Sequence, residues 1–122
     1  MPSRPATILL VDDEPLLLSL LAMALKQVEC NILQSTTVAA ALRLSSDVTQ
    51  QLDLVVSDFQ MPEMSGIRLA EEMRLHRPQL QFVFITGNRG VSESLAAQGH
   101  SCLTKPFPLD EFRTVVRERL QL

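Results

Sequence analysis

Three features of the sequence predict an α/β fold: a doubly wound parallel sheet of five strands with helices on both faces. Short apolar runs without polar alternation, at Ile8–Val11, Leu54–Val56 and Phe82–Ile85, read as strands buried on both faces. Each strand-like run is followed by a stretch of helical spacing, so strand and helix alternate five times along the chain. The runs also end in chemically capable groups: Asp12-Asp13 after the first, Asp58 after Leu54–Val56, Thr86 after Phe82–Ile85, and Lys105-Pro106-Phe107 after Cys102–Thr104. In open α/β sheets the carboxyl ends of the strands form the rim where ligands bind. Three carboxylates, a hydroxyl and an ammonium are therefore expected on one rim.

Taken in order, residues 1–7 carry two prolines and a basic residue without periodicity and read as a flexible N-terminal tail, with the folded domain covering 8–122. The first strand runs from Ile8 into Asp13. Pro15 suits the first turn of a helix, where a missing N–H costs nothing. That helix is expected to reach about Val28, with Leu17, Leu20, Leu21, Ala24 and Val28 inward. Leu16 and Met23 fall on its other side. Cys30–Gln34 forms a short second strand, and Thr36 or Thr37 caps a helix to about Ser46. Ser65-Gly66 opens a third helix, Ile67 to about Leu75, with Ile67, Ala70 and Met73 inward. Gly87-Asn88-Arg89-Gly90 reads as a flexible loop before a short helix, about Val91–Gln98, which Gly99 stops. Pro108 starts a last helix with Phe112, Val115, Val116 and Leu120 on its apolar side.

At 122 residues the chain is one domain, large enough to hold a core without metal or disulfide staples. A formal charge of −3 provides no general attraction for polyphosphate, so direct nucleic-acid binding is not expected. Cys30 and Cys102 make no disulfide framework and suit a reducing, cytoplasmic location. Both read as buried thiols on opposite edges of the sheet. The Leu-rich run from Pro15 to Leu25 is too short for a membrane span, which needs roughly 20 residues. His76 and His100 have no second ligand-type residue at metal spacing and read as surface or loop residues.

Asp12, Asp13 and Asp58 at neighbouring strand ends repel one another unless a cation or a proton is shared. Oxygen-only ligands favour a hard cation, for which Mg²⁺ is the ordinary candidate. With Lys105 and Thr86 nearby, such a rim can stabilise the oxygens of a phosphoryl group in transfer. Asp58 is then the nucleophile.

In this order and spacing, Asp12-Asp13, Asp58 with Met61-Pro62 and Gly66 behind it, Thr86, and Lys105-Pro106-Phe107 resemble the receiver domain of two-component response regulators, over about Ile8 to Leu120. The resemblance implies a strand order of 2-1-3-4-5 in a flavodoxin-like fold. It implies phosphorylation of Asp58 by a phosphohistidine on a sensor histidine kinase or a histidine phosphotransfer domain. Asp13, Asp58 and the Gln60 backbone carbonyl would hold Mg²⁺, with Asp12 reaching it through water. Lys105 would pair with the phosphoryl group, its peptide to Pro106 being cis, and Thr86 would move to hydrogen-bond that group. The amides of Gln60 and Asn88 stand where relatives tune hydrolysis. A phosphotransfer helix bundle or a second receiver would dock on helix 1 at Leu16 and Met23, and the signal would pass to an output domain or a homodimer.

Two positions depart from the family pattern. Relatives usually carry Tyr or Phe three residues before the lysine, where this chain has Cys102, and the 19 positions from Thr86 to Lys105 are a few fewer than usual. Thr86 and Cys102 are the expected switch residues, but a side chain as small as Cys102 should couple weakly. The Gly87–Gly90 loop should then carry more of the change. Two other functions compete: a degenerate receiver acting only as an interaction domain, and a phosphatase with an aspartyl nucleophile. The phosphatase is disfavoured because Gln60 stands where its second acid would be.

Overall fold

The structure, a computed structural model, describes residues 5–122. Strands β1 (Ala6–Val11), β2 (Cys30–Ser35), β3 (Leu54–Asp58), β4 (Gln81–Thr86) and β5 (Ser101–Thr104) form one parallel sheet in the order β2-β1-β3-β4-β5. Five helices connect and follow them: α1 (Pro15–Ala24), α2 (Val38–Ser46), α3 (Gly66–Arg74), α4 (Arg89–Ala97) and α5 (Leu109–Leu120). Each strand's alternating side chains feed two separate cores. On one face Ile8, Leu10, Leu54, Val56, Val83 and Ile85 pack against α1 and α5, through Leu18, Leu21, Phe112 and Val116. On the other, Leu9, Val55, Phe82 and Phe84 pack against α2, α3 and α4, through Ala41, Leu69, Met73 and Leu95. The expected three-layer α/β architecture and strand order are both present.

Several boundaries differ from the sequence reading. Ala6 and Thr7, assigned to the tail, belong to β1 and pair with Cys30 and Asn31. Thr7 is buried, and its N–H donates to the Asp53 carboxylate at 2.7 Å, which holds the strand start in place. Residues 1–4 of that tail lie outside the described residues. Helix α1 ends at Ala24 and tightens into a 3₁₀ turn over Leu25–Gln27, so Val28 closes the element without being in the α-helix. Its inward side is Leu18, Leu21 and Ala24, with Leu17 only half-buried and Leu20 turned outward. In α3, likewise, Leu69 joins Ala70 and Met73 in the core while Ile67 is half-buried.

The segment Gly87–Gly90 is not a four-residue loop. Asn88 is an N-cap: its side-chain Oδ1 accepts the Val91 N–H at 3.1 Å, so Arg89 and Gly90 are already helical. The connection from β4 to α4 is reduced to Gly87 and Asn88. Thr37 and Ser65 cap α2 and α3 in the same manner. Gly99, at φ 88°, ends the turn after α4 in a backbone conformation that other residues seldom adopt.

Candidate functional site

The register of the sheet assembles the rim. Val11 lies beside Ser57, so Asp12, one residue past the end of β1, comes level with Asp58 at the end of β3. One strand further, Thr86 ends β4 beside Thr104, and the Lys105 N–H donates to the Thr86 carbonyl at 2.8 Å. The peptide between Lys105 and Pro106 is cis.

Asp12, Asp13 and Asp58 each present a carboxylate oxygen to the others, all within 4.8 Å. Asp12 is only 2% exposed, whereas Asp58 is half-buried and Asp13 faces solvent. One Asp12 oxygen, Oδ1, accepts the Glu14 N–H at 2.8 Å; the other, Oδ2, is buried without a hydrogen-bond partner. Burial pushes the Asp12 carboxyl up to about 6, against the Glu14 N–H that lowers it, and the Asp58 and Asp13 charges add to the rise while Lys105 opposes it. A buried carboxylate with one oxygen unpartnered, clustered with two further carboxylates, is electrostatically incomplete, and a hard cation is what oxygen ligands of this kind complete.

Around this cluster the chain fixes the phosphoacceptor candidate and its surroundings. Asp58 Oδ1 accepts the Gln60 N–H at 3.1 Å, and Phe59 N–H donates to Ile85 O at 2.8 Å. Gly66 N–H donates to Phe59 O at 2.6 Å, so α3 starts against the loop itself. A Cβ at Gly66 would lie 3.0 Å from the Phe59 Cα and 3.2 Å from the Asp58 carbonyl oxygen. Thr86 is 2% exposed, and its hydroxyl oxygen accepts the Asn88 N–H at 3.1 Å. Among the described residues the ion pairs are Arg68–Glu72 and Arg113–Asp110, so the Lys105 ammonium is held by neither partner type found there.

The remaining sequence candidates fall elsewhere. Leu16 and Met23 are 85% and 63% exposed on α1, and Leu20, expected inward, joins them at 45%. Cys30 and Cys102, on the two edge strands, are half-buried, not buried, and burial raises both thiols. His76 is exposed, as expected; His100 is half-buried with its ring edge-on to Phe84. No helix is long and apolar enough to cross a membrane among the described residues.

A 2-1-3-4-5 parallel sheet with an acidic cluster at its carboxyl rim places the chain in the flavodoxin-like class of α/β domains. The model of the response regulator receiver domain family matches residues 8–117, and the chain belongs to that family. It is 36% identical over 115 residues to the probable transcriptional regulatory protein TcrX of Mycobacterium tuberculosis, covering 88% of this chain and 47% of that one. It is 33% identical to the sensor kinase CckA of Brucella abortus, covering 98% of this chain and 13% of that one. Among solved structures, an uncharacterized protein from Neptuniibacter caesariensis matches at a TM-score of 0.85 with 30% identity, covering 98% of this chain and 90% of that one. The chain thus spans half or less of these curated relatives' length.

Proposed function

We propose that Asp58 is the phosphoacceptor of a two-component signalling pathway in the cytoplasm, and that it takes its phosphoryl group from a phosphohistidine in a Mg²⁺-dependent reaction. The observation that carries this reading is the convergence of three carboxylates within 4.8 Å, one of them with a buried oxygen that has no partner. Asp13, Asp58 and the Gln60 carbonyl would hold the ion, with Asp12 beyond a water. When bound, Mg²⁺ supplies positive charge to the oxygens of the transferring phosphoryl group.

The chain's own residues account for the rest. An Asp58 carboxylate oxygen forms the new P–O bond as the P–N bond to the donor imidazole breaks, and the imidazole leaves with the electron pair. Lys105, on the other side of the rim, offers its ammonium to the incoming charge. Thr86, now occupied with the Asn88 N–H, has a hydroxyl proton still free to donate. Hydrolysis later breaks that P–O bond, so the domain takes part in its own phosphorylation and dephosphorylation without turning over an external substrate. The phosphorylated state is then read by an output domain or a second copy of the chain.

Partner choice is assigned to α1. Leu16, Leu20 and Met23 follow one another at four and three positions and form an exposed apolar ridge that begins three residues after Asp13. A helix bundle carrying the phosphohistidine, from a sensor kinase or a phosphotransfer protein, fits a ridge that starts at the acceptor rim.

Incubation with acetyl phosphate followed by intact mass tests the acceptor. One phosphoryl adduct is expected on the wild type, none on Asp58→Asn, and none in the presence of a chelator. An adduct of wild-type extent on Asp58→Asn, or full phosphorylation without metal, would refute the assignment.

A further inference from the structure

We infer that Phe84, and not the side chain at position 102, couples the phosphoacceptor loop to the α4–β5 edge. This rests on the reading of Asp58 given above and concerns how that site is regulated. Phe84 is fully buried on β4, two residues before Thr86, and pairs directly across the ladder with Cys102. Its ring meets Phe59 edge-on at 6.1 Å, and Phe59 is the residue that follows Asp58. On the same ring, the Cδ1 atom lies 3.0 Å from where a Gly66 Cβ would stand, at the first residue of α3. The ring also meets His100 edge-on at 5.6 Å, just before β5, and stacks on Phe82 at 5.9 Å.

One rigid ring therefore touches the loop that carries the acceptor, the start of α3 and the turn between α4 and β5. Close packing makes such a ring a poor absorber of displacement: a shift on one side is passed on or resisted. The Cys102 side chain beside it is half-buried and small, and its rotation fills or vacates little space. Room for a shift exists beside Phe59. A groove of about 420 Å³ between α3 and α4 is bounded by Phe59, Ile67, Val91 and Leu95. Turning of the Phe59 ring into that groove would withdraw its edge from Phe84 and free Phe84 to follow, which changes what His100 and the end of α4 rest against. Thr86 reaches the other end of α4 through Asn88, so the helix is held to the site at both ends.

Amide hydrogen exchange on the 122-residue chain, with and without beryllofluoride and Mg²⁺, tests this in the wild type, Cys102→Ala and Phe84→Leu. Phe84→Met serves as a second variant if the leucine form melts below the assay temperature. In the wild type, exchange should slow over 58–66 and over 95–104, on the order of 5-fold or more at the second segment if the coupling has ordinary strength. Cys102→Ala should keep both changes. Phe84→Leu or Phe84→Met should keep the change over 58–66 and lose that over 95–104. Retention of the distal change in the Phe84 variants, or its loss in Cys102→Ala, overturns the inference while leaving the acceptor assignment intact. Absence of any change over 58–66 in the wild type overturns the acceptor assignment and this inference with it.

Discussion

Replacing Asp12 by Asn should stabilise the metal-free domain at neutral pH, although it removes a carboxylate from the acidic rim. Folding places the Asp12 carboxyl at 2% exposure beside two like charges and raises its pKa from 3.8 to about 6. The sign follows from linkage. For an acid whose folded pKa is raised, the favourable contribution is complete below pH 3.8 and is lost as pH climbs through about 6. The rise from 3.8 to about 6, at ~1.36 kcal/mol per tenfold change in proton affinity, sets an upper bound of ~3 kcal/mol on the penalty at pH 7.5. Asparagine keeps the Glu14 N–H bond through its amide oxygen, its N–H₂ takes the place of the unpartnered Oδ2, and the charge repelled by Asp58 and Asp13 is gone. In a domain of this size ~3 kcal/mol corresponds to a rise in Tm on the order of 10 °C. Thermal melts in a chelator at pH 4 and pH 7.5 measure it: near-equal Tm values at the lower pH, and a clear gain for Asp12→Asn at the higher. Millimolar Mg²⁺ should narrow the gap by stabilising the wild type more than the variant. A variant no more stable than wild type at pH 7.5, or a gain of equal size at pH 4, would show that Asp12 does not carry this electrostatic load.

Gly66→Ala should cost about 1–3 kcal/mol in urea unfolding, because its Cβ must displace Phe59 backbone or the Phe84 ring at 3.0 Å. An unchanged midpoint would mean that α3 can retreat freely. Arg77→Ala should cost roughly 2–3 kcal/mol, since its guanidinium donates to the Ser45, Asp47 and Gln50 carbonyls and staples the α2–β3 connection; equal midpoints for variant and wild type would contradict this. Leu16→Asp with Met23→Glu should slow phosphotransfer from the cognate histidine by about tenfold or more, the equivalent of ~1.4 kcal/mol. Phosphorylation by acetyl phosphate should be unaffected, and equal loss with both donors would place the defect in folding.

What could be read from the sequence follows from which constraints are local. A strand buried on both faces admits only apolar side chains, so Ile8–Val11, Leu54–Val56 and Phe82–Ile85 declare themselves without any knowledge of their neighbours. The acidic rim was legible for the same reason, because a carboxylate at the end of such a run has few other places to be. The Asn88 cap also left a local signal, a cap-type residue three positions before Val91, which the two flanking glycines obscured. The partnership of Phe84 with Cys102 left none. It depends on the β4–β5 register, which is not a property of the residues themselves. A small residue on the edge strand reads as a loss of coupling until the large ring beside it is placed.

Helix α1 shows the opposite ambiguity, and its resolution bears on function. Leucine occupies five of the six positions from Leu16 to Leu21, so periodicity alone cannot decide which side is buried. The core selects Leu18, Leu21 and Ala24, followed by Leu25 in the 3₁₀ turn, and that choice leaves Leu16, Leu20 and Met23 on the open side. Side chains exposed by 85%, 45% and 63% contribute little to folding by burial, and charged residues there would be more soluble at no structural cost. Nothing in the packing of α1 against β1 and α5 requires them to be apolar. Their separation along the helix, about 10 Å from Leu16 to Met23 at 1.5 Å per residue, matches two turns of a partner helix laid against them. Since the ridge begins three residues after Asp13, a partner seated on it, as proposed, would lie beside the acidic rim. On that proposal, the same short stretch that supplies two acids of the rim would also supply the surface that holds a donor beside it.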